Sequence, residues 1–159
     1  MQKALPVTHS IHAGPVPFPA NPMICSLDYD GRFLRRKRLT TDCGTDFLVD
    51  FEKTISLDHG MQLSLSDGRF VTIKAKAEEL AAITGANLVR LAWHIGNRHT
   101  PCQIEAARLL IQRDHVIEHM IAQLGGQSQH VVEPFRPEGG AYGFGRSLSH
   151  DHVHSAHHG

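Results

Sequence analysis

The sequence lacks most of what would suit it to a membrane, to nucleic acid or to an oxidising compartment. No apolar run approaches the roughly 20 residues that cross a bilayer. The N-terminus has no basic-then-apolar leader pattern and is punctuated instead by Pro6, Pro15, Pro17, Pro19 and Pro22. Cysteines are few: Cys25, Cys43 and Cys102 are odd in number, widely spaced and form no C-x-x-C pair. Neither a disulfide framework nor a zinc ribbon follows from them, and a reducing cytoplasm is the expected location. An excess of one charge is also missing, since 16 Lys and Arg balance 16 Asp and Glu. A protein held to phosphates by its overall field would carry a basic surplus. The one basic run, Arg35-Arg36-Lys37-Arg38, therefore reads as a solvated strand or loop face. There is no nucleophile elbow, Walker loop or dinucleotide fingerprint. The glycine-rich stretch from 139 to 145 lacks a strand-to-helix context and has no Lys-Ser or Lys-Thr after it. The expectation is a protein that is not an enzyme.

Histidine is what the chain has in excess. Thirteen occur in 159 residues, and His150, His152, His154, His157 and His158 all fall in the last ten. Neutral imidazole suits nickel, copper and zinc, whereas carboxylate and carbonyl sites suit magnesium and calcium. Near pH 7 most exposed histidines are already neutral, so binding costs little deprotonation. Three of the tail histidines alternate, with Asp151 between the first two, and the run is broken by Val, Ser and Ala. A solubilising tail is the plainer reading; metal binding is the one that composition favours.

Hydrophobic residues make up 41% of the chain and aromatics 6%, enough for one ordinary domain or two small ones. Residues 1–22 read as a flexible proline-rich arm. From 23 to 77 the signals are those of a small all-β domain. The runs at 47–51 and 61–65 and the alternation at 70–73 are punctuated by Gly60 and Asp67-Gly68. Beyond 78, Leu88, Leu91, Ala92 and Ile95 recur at helical spacing up to Gly96-Asn97. Residues 102–112 read as one or two strands. Asp114 can cap a second helix whose apolar face is Val116, Ile117, Met120, Ile121 and Leu124, and 129–135 reads as a last strand. Residues 78–83 have a helical composition, yet a strand there would complete a βαββαβ, ferredoxin-like unit over 78–145. The fold class expected is α+β, ending in a disordered His-rich tail over 146–159.

Within this frame some histidines stand out from the tail. His94 falls inside the first helix, where a packed or capping role is the plainer reading. His99 lies beyond its glycine, beside Pro101, in a loop that can present a side chain on a stiff backbone. Cys102 could add a thiolate but reads more simply as a small buried residue. His115 and His119 are one helical turn apart and can share a face. With Glu118 they spell H-x-x-E-H, an inverted zinc-protease signature, but no helix with further ligands follows. A solvated helix face or a weak peripheral metal site is the expectation there.

The segments Trp93-His94-Ile95-Gly96-Asn97-Arg98-His99-Thr100-Pro101, Asp114-His115-Val116 and Pro134-Phe135-Arg136-Pro137-Glu138-Gly139-Gly140-Ala141-Tyr142-Gly143, followed by the His-rich tail, resemble the urease accessory protein UreE family over roughly residues 30–159. The resemblance implies a nickel metallochaperone with an N-terminal β-domain and a C-terminal ferredoxin-like domain through which it forms a homodimer. It further implies that His99 from both subunits meets one interface Ni2+ and that tail histidines such as His150, His152 and His154 complete the coordination. His115 matches a peripheral ligand of some members, whereas the residue two before it, a histidine in some relatives, is Arg113 here. Cys102 stands where relatives usually carry an aliphatic residue. The implied partners are the urease apoprotein and its accessory GTPase complex, and Zn2+ or Cu2+ would also bind in vitro. A general buffer for Ni, Cu or Zn, with no delivery partner, is the alternative.

Overall fold

In a computed structural model, residues 4–17 and 20–139 are described. They form ten strands and two α-helices, an α+β chain that divides into two units. Leu27–Tyr29 and Ala75–Glu138 make one unit; the described residues up to Ser26 and Asp30–Lys74 belong to the other.

The N-terminal unit is built on strict alternation. In β4 (Asp46–Ser56), Phe47, Val49 and Phe51 point inward and are buried while their neighbours are not, the period-2 pattern of a half-buried strand. β3 (Phe33–Thr40) pairs with it antiparallel, with a register shift between Leu34 and Arg36. The basic run lies on β3, where Arg35, Arg36, Lys37 and Arg38 are all exposed. Arg36 pairs with Asp50 at 2.8 Å and Arg38 with Asp46 at 2.6 Å, so this strand is the solvated face expected. Its sheet has the order β1-β4-β3, which leaves β3 at an edge. A second three-stranded sheet, ordered β2-β6-β5, is formed by β2 (Met23–Leu27), β5 (Gln62–Ser64) and β6 (Phe70–Ala75).

The expected free N-terminal arm is corrected over part of its length. β1 (Val7–Thr8) pairs parallel with β4, Ile11 bridges to Leu63, and the His12 amide donates to the Gln62 carbonyl at 2.7 Å. Val7-Thr8 lies between the prolines at 6 and 15, so both amides remain able to pair; Thr8 ends 1% exposed.

The C-terminal unit runs β7 (Ala77–Thr84), α1 (Leu88–Asn97), β8 (Gln103–Ile104), β9 (Leu109–Gln112), α2 (His115–Gln123) and β10 (Gln127–Pro134). Its sheet is antiparallel throughout, in the order β10-β7-β9-β8. The helical composition of 78–83 is overridden, because β7 is central and pairs on both sides. Its alternate residues serve two cores. Ala81 and Ile83 pack with Leu109 and Ile111 against Leu91 and Ile95 of α1 and Ile117 and Ile121 of α2. Leu80 and Ala82 pack with Leu110, Tyr29 and Phe135. Asn87 caps α1 through Arg90 N–H, and Asp114 caps α2 through the amides of Val116 and Ile117. Val116, expected on the buried face of α2, is 53% exposed instead. The turn after α2 needs Gly126: a Cβ there would meet Ile121 Cγ2 at 2.7 Å and Leu91 Cδ1 at 3.0 Å.

Candidate metal centre

The end of α1 is closed by paired main-chain bonds. Arg98 is the C-cap, with φ −95° and ψ 8°. The His99 amide donates to Gly96 C=O at 2.9 Å, and the Thr100 amide to Ile95 C=O at 3.3 Å. This 5→2 and 6→1 pair is the Schellman arrangement, in which the residue after the cap sits in the left-handed region and is usually glycine. Here it is His99, with φ 57°, the only non-glycine residue with positive φ among the described residues. Left-handed backbone costs an L-residue about 1–2 kcal/mol, and such strain gathers at functional positions. The imidazole is exposed, and Pro101 stiffens the chain two residues on.

The other candidates take different places. His94, in the last turn of α1, is half-buried with its ring edge-on to Trp93, centroids 5.0 Å apart. Cys102 is partly covered and packs against the core of the unit; burial, and then the Glu138 carboxylate, pushes its thiol up to about 11. It stays a neutral thiol near pH 7 and is a poor ligand as it stands. His115 begins α2 and is exposed. His150, His152 and His154 lie outside the described residues. Among the described residues no group of three or more His, Cys, Asp or Glu gathers to hold an ion.

Two features of the C-terminal unit escaped sequence reasoning. Val89 and Trp93 lie one turn apart on the outer face of α1, 83% and 64% exposed, a bare apolar stripe of the kind that marks contact with another chain. Their i, i+4 spacing was a signal available in the sequence. The second is a strap after β10. The Arg136 amide donates to Gln103 Oε1 at 2.8 Å and the Glu138 amide to Cys102 C=O at 2.9 Å. Residues 136–138 are thereby held against the segment that follows His99. Arg108 adds to this framework, with its Nη2 2.6 Å from Glu133 and its Nε 3.0 Å from Glu105.

The thiols also differ. Cys43 is exposed in the β3–β4 turn, and hydrogen bonds from the Thr41 and Thr45 hydroxyls hold its pKa below the usual thiol value. Cys25 is fully buried, and burial with the Asp42 charge beside it pushes it up to about 11. Iodoacetamide at about pH 7 should label Cys43 first, because the thiolate is the reacting form. Peptide mass spectrometry should find Cys25 and Cys102 modified only after denaturation.

Compared with known proteins, residues 76–159 match the UreE urease accessory protein C-terminal domain and residues 21–76 its N-terminal domain. The chain belongs to the UreE urease accessory protein family. It is 61% identical over 126 residues to a urease accessory protein UreE of Cereibacter sphaeroides, covering 79% of this chain and 69% of that one. With the UreE of Ruegeria pomeroyi it is 60% identical over 127 residues, 80% and 85% of the two chains. With that of Paracoccus denitrificans it is 53% identical over 137 residues, 86% of each. UreE proteins are accessory to urease rather than urease itself, and the family match spans both the strand-rich segment and the helix end that carries His99. Among the described residues no helix is long and apolar enough to cross a membrane.

Proposed function

We propose that this protein is a nickel metallochaperone that delivers Ni2+ for assembly of the urease active site. It acts in the cytoplasm as a homodimer and performs no catalysis of its own. The observation that carries the reading is His99, an exposed imidazole held at the left-handed position of a helix end where glycine would be less strained. Membership of a urease accessory family supplies the destination.

The C-terminal unit is read as a ferredoxin-like domain that dimerises along α1. A two-fold axis places the same residue of each subunit at one point, so one His99 per chain makes a two-imidazole seat without any further motif. The exposed Val89 and Trp93 support a second copy of the chain as the cover for this helix. Two imidazoles leave coordination positions open, and the tail histidines His150, His152 and His154 fill them. His115 serves as a peripheral ligand. Partial, exchangeable coordination suits a carrier, because a partner can replace ligands one at a time, unlike the closed four-ligand cage of a structural zinc site. The partners are the urease apoprotein and its accessory GTPase complex, and the N-terminal β-unit is read as a partner-docking domain.

The test is urease activation at limiting nickel, using purified apoprotein complex with and without this chain. Activation should rise with the wild-type protein and fall back with His99→Ala. Equal activation in all three reactions would leave a metal buffer as the function.

A further inference from the structure

The Phe135-Arg136-Pro137-Glu138 segment takes no part in the metal chemistry proposed above, yet the structure fastens it to the chain just beyond His99. Its root is Phe135, fully buried among Leu80, Ala82 and Leu110. Two main-chain amides then reach the start of β8. That of Arg136 donates to Gln103 Oε1 at 2.8 Å, and that of Glu138 to Cys102 C=O at 2.9 Å. Pro137, between them, has no amide to offer and stiffens the stretch. The Gln103 side chain is the hub of this contact. While its oxygen accepts from Arg136, its Nε2 donates to Glu105 Oε2 at 2.8 Å. Glu105 is held in turn by Arg108, Nε to Oε1 at 3.0 Å, and Arg108 by Glu133 of β10 at 2.6 Å. With both ends of its amide engaged in a connected network, Gln103 has little freedom to turn.

Only Thr100, Pro101 and Cys102 separate His99 from Gln103. On the α1 side this loop is tied by the His99 and Thr100 amides, which donate to Gly96 and Ile95 C=O. On the β8 side it is tied by the pairing of Gln103 with Leu110, by the Cys102 carbonyl and by the Gln103 side chain. A left-handed histidine persists only where its surroundings over-determine it. Helix ends fray by a residue or two, so the closure of α1 needs this second anchorage. We propose that Gln103 is a positioning residue for nickel: by clamping residues 136–138 to the loop, it keeps His99 left-handed and its imidazole aimed at the seat. The proposal rests on the reading of His99 as that seat, and it gives the Pro-Phe-Arg-Pro-Glu motif a task although the motif supplies no ligand. A side chain already held in its bound geometry loses little freedom when the ion arrives. Each subunit of a two-fold seat brings its own Gln103, so any loosening counts twice.

The test is a double-mutant cycle on the full chain, with Ni2+ titrated by calorimetry into wild type, Gln103→Met, His99→Ala and the double variant. Methionine keeps the length of the stem and removes both polar ends. Gln103→Met should weaken nickel binding about tenfold, the lower end of what loss of an orienting partner costs. In the His99→Ala background it should cost nothing further, because the two residues act through one ligand. In the metal-free protein the His99 Cα chemical shift should move away from its left-handed value. Urea unfolding confirms that each variant folds; a residue of merely structural role would lower the midpoint and leave the nickel affinity of the folded chain unchanged. Exchanging donor and acceptor, with Gln103→Glu and Glu105→Gln together, should restore most of the affinity that Gln103→Glu alone loses. Wild-type affinity in Gln103→Met, an equal loss from it with and without His99, or an unmoved His99 shift would overturn the positioning role. Nickel binding undiminished by His99→Ala would instead refute the seat itself, so the two failures are told apart.

Discussion

Replacing His99 with glycine should make the protein more stable and, in the same variant, abolish tight nickel binding. The two effects have separate origins in one residue. The main chain at position 99 has φ 57° and closes α1 through its amide. For an L-residue that conformation costs about 1–2 kcal/mol; glycine adopts it freely but loses about 0.5–1 kcal/mol more entropy on folding. The balance is a net gain of about 0.5–1 kcal/mol, visible as a higher urea midpoint at unchanged slope. The nickel effect runs the other way. Removing one imidazole from each half of a two-fold seat should weaken binding about a hundredfold or more, beyond the 10–100-fold that outer-shell changes alone bring. His99→Ala should lose nickel to the same extent without the gain in stability, since alanine keeps the left-handed strain. A His99→Gly protein less stable than wild type would contradict the strain argument, and one that kept its nickel affinity would contradict the assignment of the seat.

The second large effect is expected from Phe135→Ala, at about 3–5 kcal/mol of lost stability. Phe135 is fully buried against Leu80, Ala82 and Leu110, with its ring edge-on to Tyr29 at a centroid distance of 5.3 Å. Removing the ring leaves a cavity in a small core that has few ways to collapse. It also loosens the anchor immediately before the 136–138 strap. Thermal and urea unfolding should show the loss, and proteolysis should cut earlier within 134–139 than in wild type. Phe135→Leu, which keeps most of the volume, should cost far less. A loss below about 1 kcal/mol in the alanine variant would mean that the ring fills no essential space.

Much of this was legible from residue order. The helical recurrence of Leu88, Leu91, Ala92 and Ile95 corresponds to α1, and Asp114 is the cap of α2. The Asp67-Gly68 turn separates β5 from β6 as expected. The strand that the ferredoxin-like plan asks for at 78–83 is β7, against local composition, and what escaped elsewhere was decided by tertiary pairing. Residues 78–83 have the composition of a helix, but as the centre of a four-stranded sheet they gain partners on both sides, and context of that kind overrides local propensity. Val7-Thr8 looked like part of a loose arm because its partner, Leu48-Val49, lies some forty residues away. At the candidate metal centre, His99 is singled out by its motif. Its left-handed backbone is not, since helix ends of this kind normally advertise themselves with glycine. The strap was equally hidden, because a side-chain amide and a lone carbonyl hold it rather than a periodic ladder.

The position of β3 at the rim of its sheet has a bearing on how concentrated the protein can become. An unpaired strand edge is a template for joining another copy edge to edge, and such joining seeds aggregates. Two β3 edges brought to the strand spacing of about 4.8 Å would set Arg35 and Lys37 of one copy against those of the other, with Asp50 and Asp46 already engaged by Arg36 and Arg38. Like charges at that range repel, so the four-residue basic run guards the edge against fibre-like growth. Salt shortens the reach of this protection, to about 8 Å at physiological ionic strength and about 3 Å at 1 M. The guard is therefore strongest in dilute buffer and weakest in the concentrated salts used for precipitation.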